Sequence, residues 1–182
     1  GKPFAAVMGP IARMLAEEQP LKGIRLLYIT PLRALSRDLS LAIREPIEAM
    51  GWPIRVGIRN GDSSSSERTK QLKAPPQILV TTPESLALLL SNAKAEELFG
   101  QLETVILDEW HELMGSKRGS QTELCLSWLR QLRPQLQTWA ISATIGNLEQ
   151  AARHALGTAS EPQLIGGAPA RSTEIQSILP ET

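Results

Sequence analysis

Short apolar runs alternate along the chain with longer stretches in which apolar residues recur every three or four positions. Ile24–Thr30, Ile54–Arg59, Ile78–Thr82, Thr104–Asp108 and Thr138–Ser142 read as strands. They are apolar on both faces and end in polar residues, the pattern of a parallel sheet buried between helices. Leu32–Met50 has helical spacing, with Pro31 before it and Gly51 after it as stop signals. Pro83–Ser91 opens with proline at a first helical position, Gly119–Leu132 follows, and Asn147–Leu156 begins with a natural N-cap. Strand and helix in alternation predict right-handed crossovers and a doubly wound α/β sheet. Asn60–Ser66 reads as a polar turn and Gly115–Gly119 (GSKRG) as a basic loop. Residues 157–182 read as a linker with a strand at Ile175–Leu179.

At 182 residues the chain suits one domain with a tail, large enough to bury a core unaided. Its single cysteine, Cys125, excludes an intrachain disulfide framework and a multi-cysteine zinc site. No apolar run approaches the roughly 20 residues that span a bilayer, and the opening GKPFAAV lacks the order of a signal peptide. The expectation is a soluble, cytoplasmic protein with no membrane partner. Net charge is zero but unevenly spread. Residues 1–76 carry 12 basic and 7 acidic side chains, a net +5, and residues 77–182 carry 7 and 12, a net −5. Such a division suits a polyanion on one surface and a metal ion at another; chance also produces it.

The strongest chemical signal is TVILDEWH, residues 104–111. A buried strand runs into two adjacent carboxylates, and in an open α/β sheet the carboxyl ends of strands form the active crevice. On an extended chain neighbouring side chains point apart, so Asp108 is free to hold Mg²⁺ while Glu109 orients or deprotonates an attacking water. The structural alternative is that both acids cap the next helix. Ser142-Ala143-Thr144 ends the following strand, where small hydroxyls can bond a carboxylate or His111; taken alone, it is also an ordinary helix start. Thr30-Pro31-Leu32-Arg33 and Thr81-Thr82-Pro83-Glu84 each join a strand end to a helix start, where free backbone N–H groups bind phosphate and Arg33 adds charge. Such contacts grip a backbone without reading sequence. Cys125 has the setting of inert core packing. Trp128 and Trp139 read as core, whereas Trp110, inside the acidic motif, stands where a nucleotide would meet it. No HExxH supports a zinc hydrolase.

The order of these motifs resembles the first motor domain of superfamily 2 helicases: Gly1-Lys2, then TPLRAL, TTPESL, DEWH and SAT. LDEWHELMGSKRGSQTEL followed by LRPQLQTWAISATIGNLEQA resembles the Lhr-like branch. Within it, the tryptophan of DEWH and the GSKRG loop resemble the ligase-associated DEXH-box DNA helicases. The likeness covers roughly residues 1–157. It implies a RecA-like P-loop NTPase domain, with a mostly parallel sheet and helices on both faces, that uses ATP and Mg²⁺. Gly1 and Lys2 match the nucleotide-binding end of motif I. Asp108 and Glu109 match the Mg²⁺-binding and catalytic carboxylates of motif II, with His111 beside them; His111, together with Ser142, Ala143 and Thr144, matches residues that couple hydrolysis to strand movement. Thr30, Pro31 and Arg33 match motif Ia, Thr82, Pro83 and Glu84 match motif Ib, and Gly61-Asp62 lies where a further nucleic-acid-side motif occurs. The partners implied are single-stranded DNA or a partial duplex, an RNA strand, a second RecA-like domain of the same chain, and an ATP-dependent DNA ligase with repair nucleases.

Motif I departs from the family pattern. Only its terminal Gly-Lys is present, and Pro3 replaces the Ser or Thr whose hydroxyl would meet Mg²⁺. The strand that normally precedes it is missing, which predicts a slot in the sheet with exposed edges. The chain therefore reads as a fragment of a longer helicase. Residues 1–157 form a partial ATP-binding domain and 158–182 lead toward an absent second domain, so alone it should bind ATP weakly and unwind nothing. One rival reading is a nucleic-acid-binding remodelling subunit without ATP turnover, which Pro3 favours. Another is a small-molecule Mg²⁺ phosphohydrolase, which leaves TPLRAL, TTPESL and SAT unexplained.

Overall fold

A computed structural model describes residues 2–142, 147–157 and 161–165. Its centre is a five-stranded sheet of β1 (Leu26–Ile29), β2 (Val56–Arg59), β3 (Ile78–Thr81), β4 (Thr104–Leu107) and β5 (Gln137–Ala140). The strands are all parallel and stand in the order β2-β3-β1-β4-β5. Each lies within, or one residue from, an apolar run read from the sequence. Side chains alternate between faces along a strand. Leu27, Ile29, Leu79, Val105 and Leu107 enter one core, and Leu26, Tyr28, Ile78, Val80 and Ile106 enter the other. Helices α1 (Lys2–Leu15) and α2 (Arg33–Ala49) cover the second face. Helices α4 (Pro83–Leu90), α5 (Ala95–Phe99), α6 (Trp110–Leu113), α7 (Lys117–Leu132) and α8 (Leu148–Leu156) cover the first. Among the described residues no helix is long and apolar enough to cross a membrane.

Three helices go beyond the sequence reading. Arg13 in the last turn of α1 donates to Thr104 Oγ1 at 2.8 Å, at the start of β4. The helix therefore runs against the strand direction, and Lys2 opens it about 20 Å away, toward the strands' carboxyl ends. Pro3 falls in the first turn, where a missing N–H breaks no helical hydrogen bond. Helix α3 (Ser65–Lys73) replaces the end of the expected polar turn. Ser64 Oγ accepts from Glu67 N at 3.2 Å and the Glu67 carboxylate accepts from Ser64 N at 2.8 Å, a capping box. Helix α5 bridges Leu98 and Phe99 into the core.

Among the described residues the sheet has no slot. Its five strands pair without interruption, and the exposed edge is β5, where Trp139 is 44% exposed and not core as expected. The basic loop is shorter than expected, because α7 already begins at Lys117 under the cap of Ser116, whose Oγ accepts from Gly119 N at 3.1 Å. The expected strand at Ile175–Leu179 lies outside the described residues.

Candidate nucleotide and nucleic-acid site

Because every strand points the same way, all five carboxyl ends meet at one rim. In spatial order that rim carries Asn60-Gly61-Asp62 after β2, Thr82-Pro83-Glu84 after β3, Thr30-Pro31 after β1, Asp108-Glu109 after β4 and Ser142 after β5. Positions far apart in sequence thus divide into an acidic end over β4 and β5 and an end over β2, β3 and β1, the basic end, where Arg33, Arg68 and Arg118 outnumber Asp62 and Glu84.

Asp108 is 9% exposed. Its backbone N–H donates to Ile29 O at 2.9 Å and its Oδ1 accepts from Glu109 N at 3.1 Å, which fixes the carboxylate at the strand end. Glu109 is not extended. At φ 46° and ψ 46° it is the one non-glycine residue with positive φ among those described, and it caps α6. A left-handed residue of this kind costs about 1–2 kcal/mol, and such strain gathers at functional positions. Glu109 thus leaves the strand in this turn, so strand alternation does not set its direction. Glu109 Oε2 then lies 3.4 Å from His111 Nδ1, and Nε2 of the same ring lies 3.4 Å from Glu112 Oε1. Ser142 Oγ is 3.0 Å from His111 Nδ1 and accepts from His111 N at 3.3 Å. Ala143, Thr144 and Gly1 lie outside the described residues.

Trp110 does not face a nucleotide. It is buried, its backbone N–H donates to Ile141 O at 3.1 Å and its Nε1 to Ala151 O at 2.9 Å, tying β5 and α8 to the acidic turn. Tyr28, which sequence reasoning passed over, lies beneath Asp108 on β1. Its hydroxyl sits beside that carboxylate without closing a well-formed hydrogen bond to it or to anything else. Burial first, and the Asp108 charge second, push its pKa far up.

At the basic end, Arg33 projects from the start of α2. An added methyl at Gly61 would fall 2.7 Å from the Arg33 guanidinium carbon, and Asp62 Oδ1 is 3.9 Å from Arg33 Nη1. Asn60 Nδ2 donates to Ser36 Oγ at 2.9 Å and Arg68 Nη2 to Asn60 O at 3.1 Å, so helices on both sides hold this turn. Thr30, Pro31, Thr82 and Pro83 are buried, leaving Arg33, Asp62 and Glu84 as the accessible side chains of the set. Glu84 pairs with Arg118, a residue the sequence reading left inside a loop. Burial acts to raise the Glu84 pKa, but the Arg118 hydrogen bond and charge outweigh it and hold the carboxyl below its ordinary value.

A parallel sheet with an acid pair, a histidine–hydroxyl contact and two Thr-Pro helix starts on one rim is the arrangement of a helicase motor domain. The DEAD/DEAH box helicase family model matches residues 1–151, and the chain belongs to that family. Lhr-type helicases are among its relatives. It is 38% identical over 170 residues to ATP-dependent helicase Lhr-Core protein 2 of Thermococcus barophilus, covering 86% of this chain and 20% of that protein. It is 37% identical over 185 residues to the Lhr helicase/probable uracil glycosylase of Mycolicibacterium smegmatis, covering 95% of this chain and 12% of that one. The structure of Mycobacterium smegmatis helicase Lhr bound to ssDNA and AMP-PNP superposes with a TM-score of 0.77 at 38% identity, over 88% of this chain and 22% of that one. The first-matched curated relatives are about five times as long, since the chain spans about a fifth of their length.

Proposed function

We propose that this chain is a motor lobe of an ATP-dependent DNA helicase or translocase acting in DNA repair. The observation that carries the reading is the shared rim, which sets Asp108, Glu109, His111 and Ser142 beside the Thr-Pro helix starts and the Arg33 cluster. The donor set fits Mg²⁺. Asp108 supplies hard carboxylate oxygens at the end of β4, and among the described residues no group of three or more His, Cys, Asp or Glu forms a metal cage. Mg²⁺ favours that shortage, because it keeps its waters and takes one or two carboxylates together with substrate phosphates. Held at Asp108, it would neutralise phosphate charge. Lys2, at the opening of α1, would add a second positive group.

Glu109 takes a proton from water as the water oxygen bonds the terminal phosphorus and the bond to the ADP oxygen breaks. His111 lies between Glu109 and Ser142 and so senses the acid's state. The basic end holds single-stranded DNA by its phosphates; the bound DNA in the Mycobacterium smegmatis Lhr structure supports that choice. A second RecA-like domain of the same chain would close the cleft.

The test is ATP hydrolysis by the full-length gene product, with and without single-stranded DNA, beside Glu109→Gln. Hydrolysis that rises with DNA and collapses in the variant is expected. DNA binding with no hydrolysis by the wild type would replace the motor with a binding subunit and point to Pro3, which stands where a metal-binding hydroxyl is expected.

A further inference from the structure

The segment Ser116–Gly119 touches both ends of the rim. Toward the acidic end it is fastened to α6, the helix that Glu109 caps. Ser116 Oγ donates to Leu113 O at 2.6 Å and Ser116 N to the same carbonyl at 3.2 Å. A Cβ on Gly119 would stand 2.1 Å from Leu113 O, so α7 meets α6 at a separation that no side chain fits. Toward the basic end, Arg118 reaches the Pro31 loop and the first turn of α4 at once. Its Nε and Nη2 bond the two Glu84 carboxylate oxygens, the latter at 3.3 Å, and Nη2 donates to Pro31 O at 2.7 Å. The root of the side chain is held as well, because Thr122 Oγ1 donates to Arg118 O at 2.8 Å and α4 packs along α7.

We infer that Arg118 is a positioning residue that locks the Pro31 loop and the start of α4 to each other and to α6, so that displacement of the acidic turn moves the nucleic-acid grip. The inference rests on the proposed function. A carbonyl on a loop and a carboxylate on a helix start need a planar, forked donor, and arginine supplies one where lysine offers a compact charge. An ion pair this exposed contributes little to stability, at 39% exposure for Arg118 and 44% for Glu84. Its value lies in geometry.

The experiment compares wild type, Arg118→Gln and Arg118→Lys in the full-length protein. It reads DNA-independent ATP hydrolysis, its stimulation by an oligothymidylate, the salt dependence of binding to that oligonucleotide, and amide hydrogen exchange without ligand. The glutamine variant should keep basal hydrolysis within about twofold and lose about tenfold in DNA stimulation, a loss equivalent to about 1.4 kcal/mol of barrier. Its salt slope should be unchanged, exchange should quicken at residues 31–36 and 82–86, and lysine should rescue poorly. Unchanged exchange in those two segments overturns the inference whether or not the wild type hydrolyses ATP. So does normal stimulation in Arg118→Gln. A salt slope reduced by about one, with rescue by lysine, would make Arg118 a plain phosphate contact. A wild type without hydrolysis removes the motor reading, and the exchange measurement still decides the lock.

Discussion

The hydroxyl of Ser142 meets His111 twice, at 3.3 Å from its backbone N–H and at 3.0 Å from ring Nδ1. The two contacts hold the imidazole against the end of β5, while Nε2 of the same ring faces Glu112. Ser142→Ala removes that anchor from a ring that also lies against Glu109. Turnover of ATP with DNA present should fall about tenfold, about 1.4 kcal/mol, while the KM for ATP stays nearly constant. Steady-state kinetics decide it. A raised KM with normal turnover would place Ser142 in nucleotide binding instead.

Gly119 and Gly61 are both too close to a neighbour to carry a side chain, yet they should respond differently. At Gly119 the obstacle is the Leu113 carbonyl, 2.1 Å away and fixed by the α6 backbone. Gly119→Ala should destabilise by about 2–3 kcal/mol, a fall in Tm of about 4–12 °C for a chain of this size. Thermal denaturation followed by circular dichroism gives the answer.

At Gly61 the obstacle is the far end of Arg33, an exposed and flexible side chain. Gly61→Ala should leave stability within about 0.5 kcal/mol and turn the guanidinium out of its place. Under the proposed function, affinity for single-stranded DNA then drops several-fold at low salt, measured by fluorescence anisotropy. Equal affinity would separate Arg33 from the DNA surface.

The sheet was legible because its strands are short apolar runs, and burial on both faces leaves little else for ILVT or TVIL to be. Its rim was legible for the same reason, since each run ends in the polar residues that emerge there. The order β2-β3-β1-β4-β5 was not, because register and neighbours arise from contacts far apart in sequence. Helix α3 left a readable trace, Ser64 with Glu67 three positions on, which the run of serines obscured. Arg118 left none: its role depends on Pro31 and Glu84, 87 and 34 positions away. Trp110 misled because an aromatic inside a reactive motif suggests a ligand, whereas this one packs behind the acids. Glu109 adopts its left-handed turn under tertiary constraint, with Trp110 bonded to Ile141 and Ala151.

Cys125 offers a check on the core that needs no ligand. It is a free, buried thiol on α7, and burial pushes its pKa up to about 11. The thiolate is the reactive form, so alkylation of the native chain should be very slow at neutral pH and quicken only as the chain unfolds. The sign for stability follows from the same shift. Below about pH 9 the thiol is neutral in both states. Between about 9 and about 11 the unfolded chain gives up a proton that the folded chain keeps, so stability falls as pH rises through that window. Cys125→Ala removes this contribution, and the alkaline decline in Tm should be shallower in the variant. Rapid labelling of the native wild type at neutral pH would show instead that α7 does not bury this face.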